Sequence, residues 1–138
     1  MTPLRIAVES DRDWTELTRP DAVTPITRVR VGSLGEAARA TNRSSTPVFV
    51  DVDVHLAASV KEAYAEYGAA HPGWRPGARV GTIVHPGTAS TLANLLGDIA
   101  VTGVADGVTL RGPDIATLVR ELVDTVAPRL GVEVALPA

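Results

Sequence analysis

Three side chains able to titrate or bind metal stand in a short row, Asp51-x-Asp53-x-His55, inside the run Val48 to Leu56. In an extended chain alternate residues share a face. The run therefore sets Phe49, Asp51, Asp53 and His55 on one side and Val48, Val50, Val52, Val54 and Leu56 on the other. Carboxylate and imidazole ligands in such a row suit a divalent cation. The row equally suits an ion-pair network. Arg28 and Arg30 project from one face of the preceding extended segment, and they neutralise the aspartates if the two strands pair. The network is the preferred reading, with the polar row pointing inward or into an interface and no metal assigned.

The remaining reactive types are sparse. His85, beside Pro86-Gly87, has no carboxylate near it in sequence, and His71 sits in a Pro-Gly loop. Both are expected to be solvated loop histidines. Trp74 is a candidate to pack its ring over a ligand or an interface, whereas Tyr64 and Tyr67 are expected to be packing residues of a helix. There is no cysteine, which removes disulfides, thiolate nucleophiles and zinc–thiolate centres together. No Ser-His-Asp set, Walker loop or dinucleotide fingerprint is present, and no catalytic residue is assigned.

The elements that must position these residues alternate between strand and helix. Strands are expected at Leu4 to Val8, Ile26 to Val31, Val48 to Leu56, Val80 to Val84 and Gly107 to Arg111, with His85-Pro86-Gly87 closing the fourth. Helices are expected from about Leu34 to Ala40 behind a Ser33 cap, from Ser59 to Ala70, and from Thr88 to Val101. A last one runs from an Asp114 cap to a break at Pro128. A short helix is expected around Trp14 to Thr18. Strands alternating with helices argue for βαβ units and a mostly parallel sheet. With 138 residues, 45% hydrophobic and 21% charged, the chain fits one globular domain over residues 1–138. A formal charge of −3 gives no electrostatic reason to bind nucleic acid or an anionic membrane. No stretch resembles a signal peptide or a membrane span, so a cytoplasmic protein is expected.

The stretch from Gly87 to Gly131 carries a family resemblance. Gly87-Thr88 opens a helix, Ala105-Asp106-Gly107-Val108-Thr109-Leu110 forms a strand, and Ala127-Pro128-Arg129-Leu130 ends the next helix. In this it resembles the closing units of luciferase-like monooxygenases, the FMN- or F420-dependent (β/α)8 barrels. A full barrel needs about 250 residues. The resemblance therefore implies a shortened form like the C-terminal half: a half-barrel of about four βα units with helices on one face. It implies a flavin- or F420-dependent oxidoreductase that completes its barrel as an oligomer. The alternative is a non-catalytic shortened member, acting as a homodimer or as an accessory subunit of a longer relative. Cofactor phosphate in that family lies near the ends of late strands. The matching loop here, Glu9 to Asp13, carries three carboxylates and repels phosphate. Gly32, Ser33 and Gly35 form a better anion nest, joined by Arg111 and Gly112 after the last strand; the plainer reading of Gly32-Ser33 is a helix cap.

Overall fold

The computed structural model describes residues 3–11, 13–19, 25–77 and 80–135. Its axis is strand β4 (Val48–Leu56), whose alternating valines and polar residues give two unlike faces. The other strands are β1 (Arg5–Ser10), β2 (Asp13–Glu16), β3 (Thr27–Val29), β5 (Ile83–Gly87) and β6 (Gly107–Arg111). One edge of β4 pairs with β6, from Phe49 opposite Gly107 to Asp53 opposite Arg111. The other edge is shared: β3 pairs with Val48–Val50 and β5 with Val52–Leu56. Beyond β6 lies β1, and beyond that β2.

The chain is thus α/β with a curled, mixed sheet, open like half a barrel. The pairings β1–β6, β6–β4, β4–β3 and β4–β5 are parallel, while β2 returns antiparallel to β1. That hairpin corrects two expectations, the mostly parallel sheet and the helix at Trp14 to Thr18. Asp11 makes the reversal with φ of 52°, the left-handed conformation that tight hairpins require. Strand order also departs from consecutive barrel units, because β6 lies between β1 and β4.

Helices α1 (Leu34–Arg43), α2 (Val60–Ala70), α3 (Ala89–Thr102), α4 (Ile115–Glu121) and α5 (Ala127–Leu130) complete the fold. Their placement follows from the handedness of crossovers. Going from β3 to β4 moves the chain one way across the sheet, β4 to β5 moves it back, and β5 to β6 moves it forward again. Right-handed connections then put α1 and α3 on one face and α2 on the other. The packing agrees. Ala37 of α1, Leu92, Leu96 and Ile99 of α3 and Leu118 of α4 join Ile6, Val50, Val52, Val54, Val108 and Leu110 in one apolar cluster. Tyr67 of α2 instead meets His55, on the polar face of β4. Helices therefore cover both faces, and the expected one-sided arrangement is corrected.

Local signals set the helix ends. Ser33, Ser59, Thr88 and Asp114 accept backbone N–H groups as N-caps, and Gly103 and Gly131 close α3 and α5 in the left-handed region. The last helix was expected to break at Pro128. It continues instead, through a π-helical turn at Leu122–Val126 in which the Ala127 N–H reaches back to the Leu122 carbonyl. Proline has no N–H and its ring crowds the carbonyl four residues earlier, and a widened turn gives it room. Strand β5 runs through His85-Pro86-Gly87, the residues expected to close it. A proline is tolerated there because, among the described residues, β5 pairs on one side only.

Opposite Phe49 in the ladder, Gly107 leaves space that a side chain would take. A Cβ there would lie 2.8 Å from the Phe49 ring, which is fully buried under Trp14 and the Arg5 guanidinium. Gly107→Ala is expected to lower stability by about 1–3 kcal/mol through overpacking, read as a lower urea midpoint with unchanged slope.

Candidate functional site

The polar face of β4 divides into a neutralised part and an open part. Asp51 is buried, with its side chain 7% exposed. Arg28 donates to both its oxygens at 3.1 and 3.3 Å, and the Arg30 guanidinium lies 3.5 Å away. Arg28 also donates to both oxygens of Glu9, at 2.8 and 3.3 Å. Those hydrogen bonds, outweighing burial, hold the Glu9 carboxyl below its ordinary range. Arg111 closes the group, its Nε 3.2 Å from Glu9 and its Nη1 3.9 Å from Asp51. The pairing expected of Arg28 and Arg30 with the aspartates is present at Asp51. Glu9, which the sequence reading placed in a phosphate-repelling loop, lies on β1 and neutralises arginines.

Asp53 stands differently. Among the described residues it accepts no hydrogen bond, and the nearest cation is Arg111 Nη1 at 3.8 Å. Burial pushes its carboxyl above the ordinary value, partly offset by Arg30. It faces the place where the chain parts at the carboxyl ends of adjacent parallel strands. From β4 the chain leaves for α2 on the polar face; from β6 it leaves through Gly112-Pro113-Asp114 for α4 on the apolar face. In open α/β sheets, such a divergence makes the crevice where ligands bind. Here the crevice has a volume of about 380 Å³ and is lined by Asp53, His55, Tyr67, His71, Arg111 and Gly112, with Glu9 and Asp11 at its side. That is within the range of small-molecule sites. Gly112 lets the two exits run close, since a Cβ there would lie 2.6 Å from the Val54 carbonyl oxygen.

One wall is aromatic. The Tyr67 and His71 rings stack with centroids 3.9 Å apart and planes 17° apart, and Trp74 meets Tyr67 edge-on at 4.8 Å. His71 Nδ1–H donates to the Tyr67 carbonyl at 3.0 Å, so this exposed residue is tethered rather than free. Trp74 packs on α2, where it had been a candidate to cover a ligand. Burial and then the Asp53 charge raise the Tyr67 phenol, which ties this wall to the carboxylate. His55 Nε2 lies 2.8 Å from Glu66 Oε1. Among the described residues no group of three or more His, Asp or Glu side chains is arranged to hold a metal ion.

Of the expected cofactor residues, Arg111 and Gly112 line the crevice, and Gly32, Ser33 and Gly35 do not. Ser33 serves there as the cap of α1, and the Gly32 N–H is taken up by its own chain. Ser33 Oγ accepts from the Glu36 N–H, and the Glu36 carboxylate from the Gly32 N–H. Sequence reasoning missed Tyr67, His71 and Glu9 as parts of one site. Glu9 had a usable signal, the alternation of Arg5 and Glu9 against Ile6 and Val8.

His85 is not a solvated loop residue. It lies on β5, partly buried, where Thr91 Oγ1 donates to the Thr88 carbonyl and accepts His85 Nε2–H at 3.0 Å. Burial lowers its imidazole below 6.5.

Compared with protein-family models, curated proteins and solved structures, the chain matches none at a significant level. Among the described residues no helix is long and apolar enough to cross a membrane.

Three substitutions test this electrostatic picture. Asp51→Asn leaves three arginines short of a counter-charge and is expected to cost roughly 1–3 kcal/mol, discounted for the partly exposed cations. Asp53→Asn removes a charge that burial disfavours, and its melting temperature at neutral pH should equal or exceed that of the parent. For His85, the unfolded chain takes up a proton before the folded one as pH falls. Its contribution is therefore intact above about pH 6.5 and is lost as pH drops below that value. His85→Gln should flatten the decline in stability measured by urea melts between about pH 7 and about pH 5.

Proposed function

We propose that this chain binds a small polar molecule in the crevice between the carboxyl ends of β4 and β6, with Asp53 as the group that accepts a hydrogen bond or exchanges a proton with it. The observation that carries this reading is Asp53 itself. It is a half-buried carboxyl, raised by burial, that accepts no hydrogen bond among the described residues and faces a crevice opened by diverging chain exits. A group so perturbed in such a place is suited to ligand contact or proton transfer.

A second reading, drawn from the luciferase-like resemblance, is a flavin- or F420-dependent oxidoreductase using the same crevice. Arg111 and Gly112, expected to hold the cofactor, do line it, and the half-barrel outline suits that ancestry. The position of β6 between β1 and β4 weighs against that ancestry, and the carboxylate of Asp11 beside the crevice weighs against a bound phosphate.

Titration of the full chain by nuclear magnetic resonance tests both. A set of amines, carboxylates and heterocycles at millimolar concentration should shift the amide signals of Asp53, His55, Arg111 and Gly112 as a group. If no fragment moves them, the crevice is not a binding site. FMN and F420 are added separately; quenched flavin fluorescence with shifts at Arg111 and Gly112 supports the oxidoreductase, and silence from both removes it.

A further inference from the structure

Resting on the crevice as a binding site, we infer that its ligand is an uncharged planar molecule with an amide- or ureide-type edge, an N–H beside a C=O. The N–H donates to Asp53 and the C=O accepts from Arg111.

Charge balance comes first. Among the described residues of this face, and apart from the self-contained Arg5–Glu16 pair, Arg28, Arg30 and Arg111 oppose Glu9, Asp51 and Asp53, three cations against three carboxylates. His55 has its own partner in Glu66, and Asp11 is exposed to water. An anionic ligand meets Asp53 and Glu9, and a cationic one displaces or opposes Arg111. A neutral ligand disturbs neither.

Hydrogen-bonding capacity comes second. Arg111 Nη1 and Asp53 Oδ1 stand 3.8 Å apart, too far to satisfy each other. Asp53 accepts no hydrogen bond and Arg111 donates none among the described residues, although Arg111 lies within 3.2 Å of Glu9. Side by side, they offer one free acceptor and one free donor. An amide edge presents the complementary pair and satisfies both groups at once. A ligand lacking the N–H leaves the carboxylate without a partner, a loss that gives such sites their selectivity.

Shape comes third. The Tyr67–His71 stack is a flat wall held on one side by Trp74 and tethered through His71 Nδ1–H. A planar ring lies against such a wall with little loss of freedom on either side. The volume of about 380 Å³ suits one or two fused rings.

The probe is uracil, titrated into the full chain while amide signals are followed. Thymine carries an extra methyl group on carbon and keeps both N–H groups. In 1,3-dimethyluracil the N–H groups are gone. Benzylamine and benzoate supply the two charges. Uracil and thymine are expected to move Asp53, Arg111, Gly112 and His71, and to bind at least tenfold more tightly than 1,3-dimethyluracil. Equal binding of the dimethyl compound overturns the inference. So does a crevice that responds to benzylamine or benzoate but not to uracil; that outcome leaves the crevice standing as a binding site. A crevice silent to all five probes, and to the wider fragment set, overturns both.

Discussion

Strand β4 is paired along both edges, and its residues alternate between valine and charge, so each neighbour is committed to one face or the other. The edge opposite β6 holds two strands in succession, β3 and then β5. The chain must therefore cross the sheet forward, back and forward again. With right-handed crossovers, the single backward step lifts α2 onto the polar face while the other helices bury the valines. The crevice follows from that reversal. Had β5 been added outside β6, α2 would have joined the other helices and Asp53 would have faced open water.

The same strand shows how two carboxylates of one type come to different ends. Asp51 lies where β3, β4 and β6 run side by side, and arginines from both flanking strands reach it. Two residues later β3 has left the sheet, Arg28 is out of range, and among the described residues the only cation within 4 Å of Asp53 is Arg111. Both aspartates are desolvated by the same sheet. Asp53 is compensated only in part, and a poorly compensated charge at a strand end is more useful for contact with a ligand than for stability.

Much of this was legible in local pattern. The alternation in Val48 to Leu56, the caps at Ser33 and Asp114, and the pairing of Arg28 and Arg30 with an aspartate all follow from residue type and spacing. What was not legible depends on partners distant in sequence. The stretch Asp13–Glu16 becomes a strand because β1 offers an edge, and its polar composition carries no mark of that edge. His85-Pro86-Gly87 has the composition of a turn, yet it pairs with His55 and its neighbours because β4 extends beyond β3. The order of strands is set by the direction of each crossover, which no short window of sequence contains. For this reason Tyr67, on a helix expected to pack with the others, was not placed beside Asp53.

The shared edge of β4 bears also on how this molecule meets others. A strand at the border of a sheet invites a further strand, from a second copy or from an unfolded neighbour, when it offers a long run of free backbone groups. Here that border is split between β3, three residues long, and β5, which carries a proline with no N–H to offer. The opposite border is β2, four residues with Asp13 and Glu16 at its ends. Among the described residues neither side presents a ladder long enough to be copied. The partition that opens a crevice at one end of β4 thus also leaves both described borders of the sheet short of free backbone groups.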